Sequence, residues 1–108
     1  PDLVLLPSRG DIHQDHRVLY SEGIRALRRS SILGYELPWN SVESFHPLVF
    51  VPILKHHLDL KLSAMEKYAS QRGRHYFDPD VTVALAKLRG AQVESRLAEA
   101  FQAIRLIL

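Results

Sequence analysis

The run Leu3-Val4-Leu5-Leu6 constrains the fold most, because it is apolar at every position instead of at alternate ones. A strand with one wet face alternates. An unbroken apolar run belongs to a strand covered on both faces, as in a parallel sheet flanked by helices. Pro7-Ser8-Arg9-Gly10-Asp11 follows as a turn-rich loop, and from about Gln14 the residues Tyr20, Ile24, Leu27 and Ser31 recur at helical spacing. The spacing predicts a helix over 14–29. Strand, loop and helix in that order put the loop at the carboxyl end of a strand, where open α/β sheets build ligand sites. Such a strand needs neighbours that the 108 residues supply only in part, and the chain opens on Pro1. The reading is therefore that upstream sequence is absent.

The remaining punctuation completes an α/β pattern. Residues 32–37 read as a second strand stopped by Pro38, and 47–52, held between two prolines, as a third at a sheet edge. Leu54, Leu58, Leu62, Met65 and Ala69 trace a helical stripe that ends at Arg72-Gly73. Asp78-Pro79-Asp80 has the form of a helix cap with proline in the first turn, opening a helix that runs past Gly90. The β-branched and aromatic content of 100–107 favours a final strand over a helix. One domain over 1–108 is expected from the length.

Composition excludes several functions. A net charge of +2 is too small to imply a nucleic-acid partner, and Arg17, Arg25, Arg28 and Arg29 read as a solvated helix face. No apolar stretch is long enough for a membrane span. The absence of cysteine leaves His, Asp and Glu as transition-metal ligands and favours a cytoplasmic location.

The chemistry is concentrated in Asp11-Ile12-His13-Gln14-Asp15-His16, with two imidazoles and two carboxylates at the mouth of the first helix. Two histidines three apart can share the tasks of metal ligand and proton donor. A carboxylate between them can fix an imidazole tautomer. Asp11 or Asp15 capping the helix is the plainer alternative.

The string from Pro7 to Arg17, followed by Ser31-Ile32-Leu33-Gly34-Tyr35-Glu36-Leu37-Pro38-Trp39-Asn40, resembles the second motif and following strand of bacterial PIG-L/LmbE-like deacetylases. Tyr68-Ala69-Ser70-Gln71, Arg89-Gly90-Ala91-Gln92 and Ala98-Glu99-Ala100-Phe101 continue the resemblance in that family's order. The resemblance implies the C-terminal part of a Rossmann-like three-layer α/β sandwich and zinc-dependent removal of acetyl from an N-acetylglucosaminyl-type amino sugar or glycoconjugate. By the same resemblance His16 is a zinc ligand, and His13 steadies the tetrahedral intermediate and protonates the departing amine. Asp15 orients His13. The family's Ala-His-Pro-Asp-Asp-Glu motif, source of the other Zn2+ ligands and the general base, does not occur in this sequence. The chain alone is expected to be inactive.

Other candidates have plainer readings. Trp39-Asn40 could line a sugar cleft, but an indole packed at a strand end is the preferred reading. His46, His56, His57 and His75 lack an acidic neighbour at ligand spacing and read as surface or interface residues. Substrate-binding residues are not identified. The competing function is a non-catalytic module that forms a homo-oligomer, or pairs with a missing half, through an open edge at the first strand.

Overall fold

The computed structural model describes residues 1–43, 45–71 and 78–108. In chain order the elements are β1 (Leu3–Pro7), α1 (Gln14–Ala26), β2 (Ser31–Tyr35), β3 (Val49–Pro52), α2 (Lys55–Gln71), α3 (Pro79–Ala91) and β4 (Ala98–Arg105). The four strands form one sheet in the order β1-β2-β4-β3. β1 and β2 are parallel, from Leu3 opposite Ser31 to Pro7 opposite Tyr35, whereas β4 runs antiparallel to β2. The sheet is thus mixed and the fold α/β. The chain divides into two compact units, residues 1–49 with 100–108, and residues 50–99.

In the first unit Leu6, Ile32, Leu33 and Phe101 form the buried core, and Ile32 has no exposed surface. β1 departs from the expected strand covered on both faces. Leu6 and Pro7 are buried, but Leu3 and Leu5 are 55% and 51% exposed. Successive side chains of a strand point to opposite faces, so Val4 and Leu6 mark the better covered face, and the face of Leu3 and Leu5 is uncovered until Pro7, where the strand end is buried.

Element ends shift for local reasons. α1 stops three residues short of 29, at Ala26: Leu27 leaves helical geometry, and the Arg105 guanidinium donates to the Leu27 and Ile24 carbonyls at 2.8 and 3.2 Å. A cation at a helix C-terminus satisfies orphan acceptors and opposes the negative end of the macrodipole. β2 ends at Tyr35 because the Leu37 carbonyl is taken by the Asn40 and Ser41 N–H groups, each at 2.9 Å. Gly34 admits the following loop: a Cβ there would lie 3.1 Å from Ser8 Cα. The backbone of the His-rich loop can therefore lie directly on β2.

In the second unit α2 and α3 pack together around Leu58, Ala69, Thr82 and Ala86, with the Thr82 hydroxyl on Met65 Sδ at 3.8 Å. Lys61 pairs with Glu99. Asp78 caps α3 as expected, its Oδ1 accepting from Asp80 N at 2.9 Å with Pro79 in the first turn. The end of α2 at Arg72-Gly73 and the position of His75 lie outside the described residues. Among those described, no helix is long and apolar enough to cross a membrane.

α3 ends just after Gly90, whose carbonyl accepts from Val93 and Ser95 N. A Cβ at Gly90 would meet the Ser95 carbonyl oxygen at 2.7 Å and Arg96 backbone atoms at 2.8 Å. Backbone cannot yield as a side-chain tip can. Gly90→Ala should therefore destabilise the chain by about 1–3 kcal/mol, as overpacking does, although alanine favours the helix by about 1 kcal/mol. Urea unfolding measures the balance, and a raised midpoint would contradict this packing.

Candidate functional site

The first unit assembles the His-rich loop from the backbone outward. Ser8 N donates to the Tyr35 carbonyl at 3.1 Å, Asp11 N to the Ser8 carbonyl at 3.2 Å, and Ile12 N to the Asn40 carbonyl at 3.1 Å. These bonds hold the loop between the end of β2 and the turn that follows it. Asp11 is left buried, at 2% exposure.

Both oxygens of this carboxylate are used. Oδ1 accepts from His13 N and Oδ2 from His16 Nδ1, each at 2.8 Å. A buried carboxylate away from water needs such donors. Because a carboxylate only accepts, neutral His16 carries its proton on Nδ1 and its lone pair on Nε2.

His13 is fixed in the opposite sense. It is the N-cap of α1, and its Nδ1 accepts from Asp15 N at 3.2 Å. A nitrogen that accepts carries no proton, so in neutral His13 the proton is on Nε2. The two rings lie 4.6 Å apart between centroids, tilted by 31°. One presents a lone pair, and its neighbour presents an N–H.

Sequence reasoning singled out all three of His13, Asp15 and His16, and the structure brings them to one helix N-terminus. The contact between Asp15 and His13 runs through the Asp15 main chain, and the exposed Asp15 carboxylate lies in the first turn of α1. The carboxylate that fixes an imidazole is Asp11, and the imidazole is that of His16. Trp39 is 48% exposed, in the turn that holds the loop through Asn40, not packed away at a strand end. His46, His56 and His57 are exposed, with His57 Nδ1 accepting from Leu54 N at 3.1 Å. Tyr35 was not anticipated. Burial, and secondarily the negative charge of Asp11, push its phenol above the usual 10.0. Among the described residues no three or more His, Cys, Asp or Glu side chains form a group that could hold a metal ion. His16 Nε2 is nevertheless a suitable single donor, with its second nitrogen anchored as metal-bound imidazoles require.

No protein-family model matches the chain, and no curated protein does. It is similar to a solved structure, the conserved protein TT1542 from Thermus thermophilus, at 22% identity and a TM-score of 0.71. The match covers 100% of this chain and 53% of that one, so the chain spans about half of its length. At this identity the likeness concerns the fold.

Two measurements test the geometry. Imidazole 15N NMR at mildly alkaline pH should find His16 protonated at Nδ1 and His13 at Nε2. Asp11→Asn should release His16 from that tautomer, since the amide puts an NH2 donor where one of the two accepting oxygens stood; an Nδ1-protonated His16 in both wild type and variant would refute the assignment.

The Tyr35 shift predicts an alkaline effect. A folded value above the unfolded one means that the stabilisation is fully present below about pH 10 and is lost as pH rises through the folded value. Tyr35→Phe should flatten the alkaline limb of a stability-against-pH curve, and an unchanged limb would exclude Tyr35 as its source.

Proposed function

We propose that this chain is the C-terminal part of a zinc-dependent N-deacetylase, of Rossmann-like α/β architecture, acting on an N-acetylglucosaminyl-type amino sugar or glycoconjugate. The observation that carries the reading is the opposed pair of imidazoles, His16 with Nε2 free to donate its lone pair and His13 with Nε2–H free to donate a hydrogen bond. Amide hydrolysis at a metal can use both, one as a metal ligand and the other as a hydrogen-bond donor. The resemblance of 7–17 and 31–40 to the PIG-L/LmbE-like family selects this reaction from others that the pair could serve.

In this reading His16 is one zinc ligand, and the remaining ligands come from a motif of the Ala-His-Pro-Asp-Asp-Glu kind outside this sequence. Bound zinc supplies a water acidic enough to act near neutral pH and a polarised acyl carbonyl. Asp11 holds the His16 ring in the ligating orientation and, in the neutral ring, keeps the proton on Nδ1 and the lone pair on Nε2.

Neutral His13 offers Nε2–H to the oxygen that gains charge in the tetrahedral intermediate. Protonating the departing amine requires more of it. An imidazolium carries a proton on Nδ1 as well, and a protonated Nδ1 cannot accept from Asp15 N. To act as the acid His13 would take a second proton from solvent at Nδ1, which opens the cap of α1, and hand its Nε2 proton to the amine nitrogen as the C–N bond breaks; loss of the Nδ1 proton and return of one to Nε2 from solvent then lets the Asp15 N–H bond to Nδ1 again. Trp39, half exposed beside the tether to the loop, supplies an indole face for a sugar ring.

A second reading has one specific support. β1 is an edge strand with Leu3 and Leu5 half exposed, which suits a non-catalytic module that self-associates.

The test uses a longer chain that carries the additional metal motif. It should bind zinc and release acetate from N-acetylglucosamine derivatives. His16→Ala should abolish zinc binding, while His13→Ala should keep zinc and lower kcat by roughly 10²–10⁴-fold, the range for lost acid-base assistance. A folded protein that binds no zinc and releases no acetate would sink the deacetylase reading and favour the second.

A further inference from the structure

The second unit contains a groove, unrelated to the His-rich loop, with a volume of about 550 Å³. That is within the ~300–1,000 Å³ typical of small-molecule sites. Leu58 and Leu62, one turn apart on α2, line it together with Leu97, and Lys87 and Arg96 bring charge to the same space. Most of its surface is carbon.

The charges are unequal. Lys55 and Asp59 also border the groove, but they pair with each other at 2.9 Å. Lys87 and Arg96 form no ion pair among the described residues. The N-terminal end of α2, at Leu54-Lys55, opens onto the groove, and its first turn holds no acidic residue. No carboxylate of that first turn offsets the partial positive charge of the helix N-terminus, although the Leu54 N–H is already taken by His57 Nδ1. Two cations and a helix end beside an apolar wall complement an anion that carries a hydrocarbon body.

We propose that this groove binds a small amphiphilic anion, a carboxylate on a short aliphatic chain. The carboxylate sits against Lys87 and Arg96, where the guanidinium can make two parallel hydrogen bonds. The hydrocarbon covers Leu58, Leu62 and Leu97 and leaves water. A neutral alcohol would forgo the ionic contacts, and acetate would forgo the apolar ones. Neither the metal nor the deacetylase chemistry enters this proposal.

Octanoate is the probe, added to the 108-residue chain and followed by calorimetry and by leucine-methyl NMR. Saturable one-to-one binding is expected, with the largest shifts at Leu58, Leu62 and Leu97, and with octanol and acetate each binding at least about tenfold more weakly. Lys87→Glu with Arg96→Glu, on the rim of the groove, should weaken octanoate by at least about tenfold while the thermal transition is retained. Octanol binding as tightly as octanoate, methyl shifts centred elsewhere, or no saturation would each overturn the proposal. Undiminished octanoate binding by the folded charge-reversed protein would also overturn it. The wild-type shifts and the octanol comparison decide the matter even if the double variant does not fold.

Discussion

The buried carboxylate of Asp11 is the interaction on which the candidate site depends. It holds a main-chain N–H with one oxygen and an imidazole with the other, so the path of the loop and the tautomer of neutral His16 are set by the same group. Without these donors a carboxylate at 2% exposure would be strongly disfavoured. Without the carboxylate, His13 N and His16 Nδ1 would lose their acceptor. Loop and site therefore stand or fall together, and the Tyr35 phenol at the end of β2, raised first by burial, is raised further by the same charge.

The fold supplies what this carboxylate needs. Gly34 lets the backbone at Ser8 lie against β2, and main-chain bonds from Ser8 to Tyr35 and from Ile12 to Asn40 fix both sides of the loop. α1 begins there with a histidine as its cap. A side-chain acceptor at that position serves the helix, as Ser or Asp would, and at the same time sets a tautomer. One residue thus links helix initiation to the proposed chemistry, because any protonation of His13 Nδ1 removes the cap.

Much of the architecture was legible in the pattern of residues. The strand at 3–6, the helices opening near 14, 54 and 79, the cap at Asp78 and the final strand all follow from periodicity, proline placement and capping chemistry. The boundaries were less legible, since they depend on distant partners: Arg105 closes α1, and a turn at 37–41 ends β2. The direction of β4 was equally hidden, because a strand's own sequence does not encode which way its neighbour runs. Leu3 and Leu5 show the same limit, as apolar character fixes a preference for burial but not the presence of a cover.

For the candidate site, the sequence by itself determined where the imidazoles and carboxylates cluster. His13, Asp15 and His16 are close in space because they are close along the chain, and a strand–loop–helix order puts them at the carboxyl end of a strand. Only the tertiary structure decided how the groups are paired. Asp11 and His16 are five residues apart and Asp11 and Tyr35 farther still, so their meeting depends on how the loop folds over β2. The groove between α2 and α3 is likewise a tertiary feature: Lys87 and Arg96 line one space only once a turn brings them beside Leu58 and Leu62. Spacing specifies neighbours within a turn of helix, whereas burial and hydrogen bonds select which of those neighbours are held, and in which tautomer.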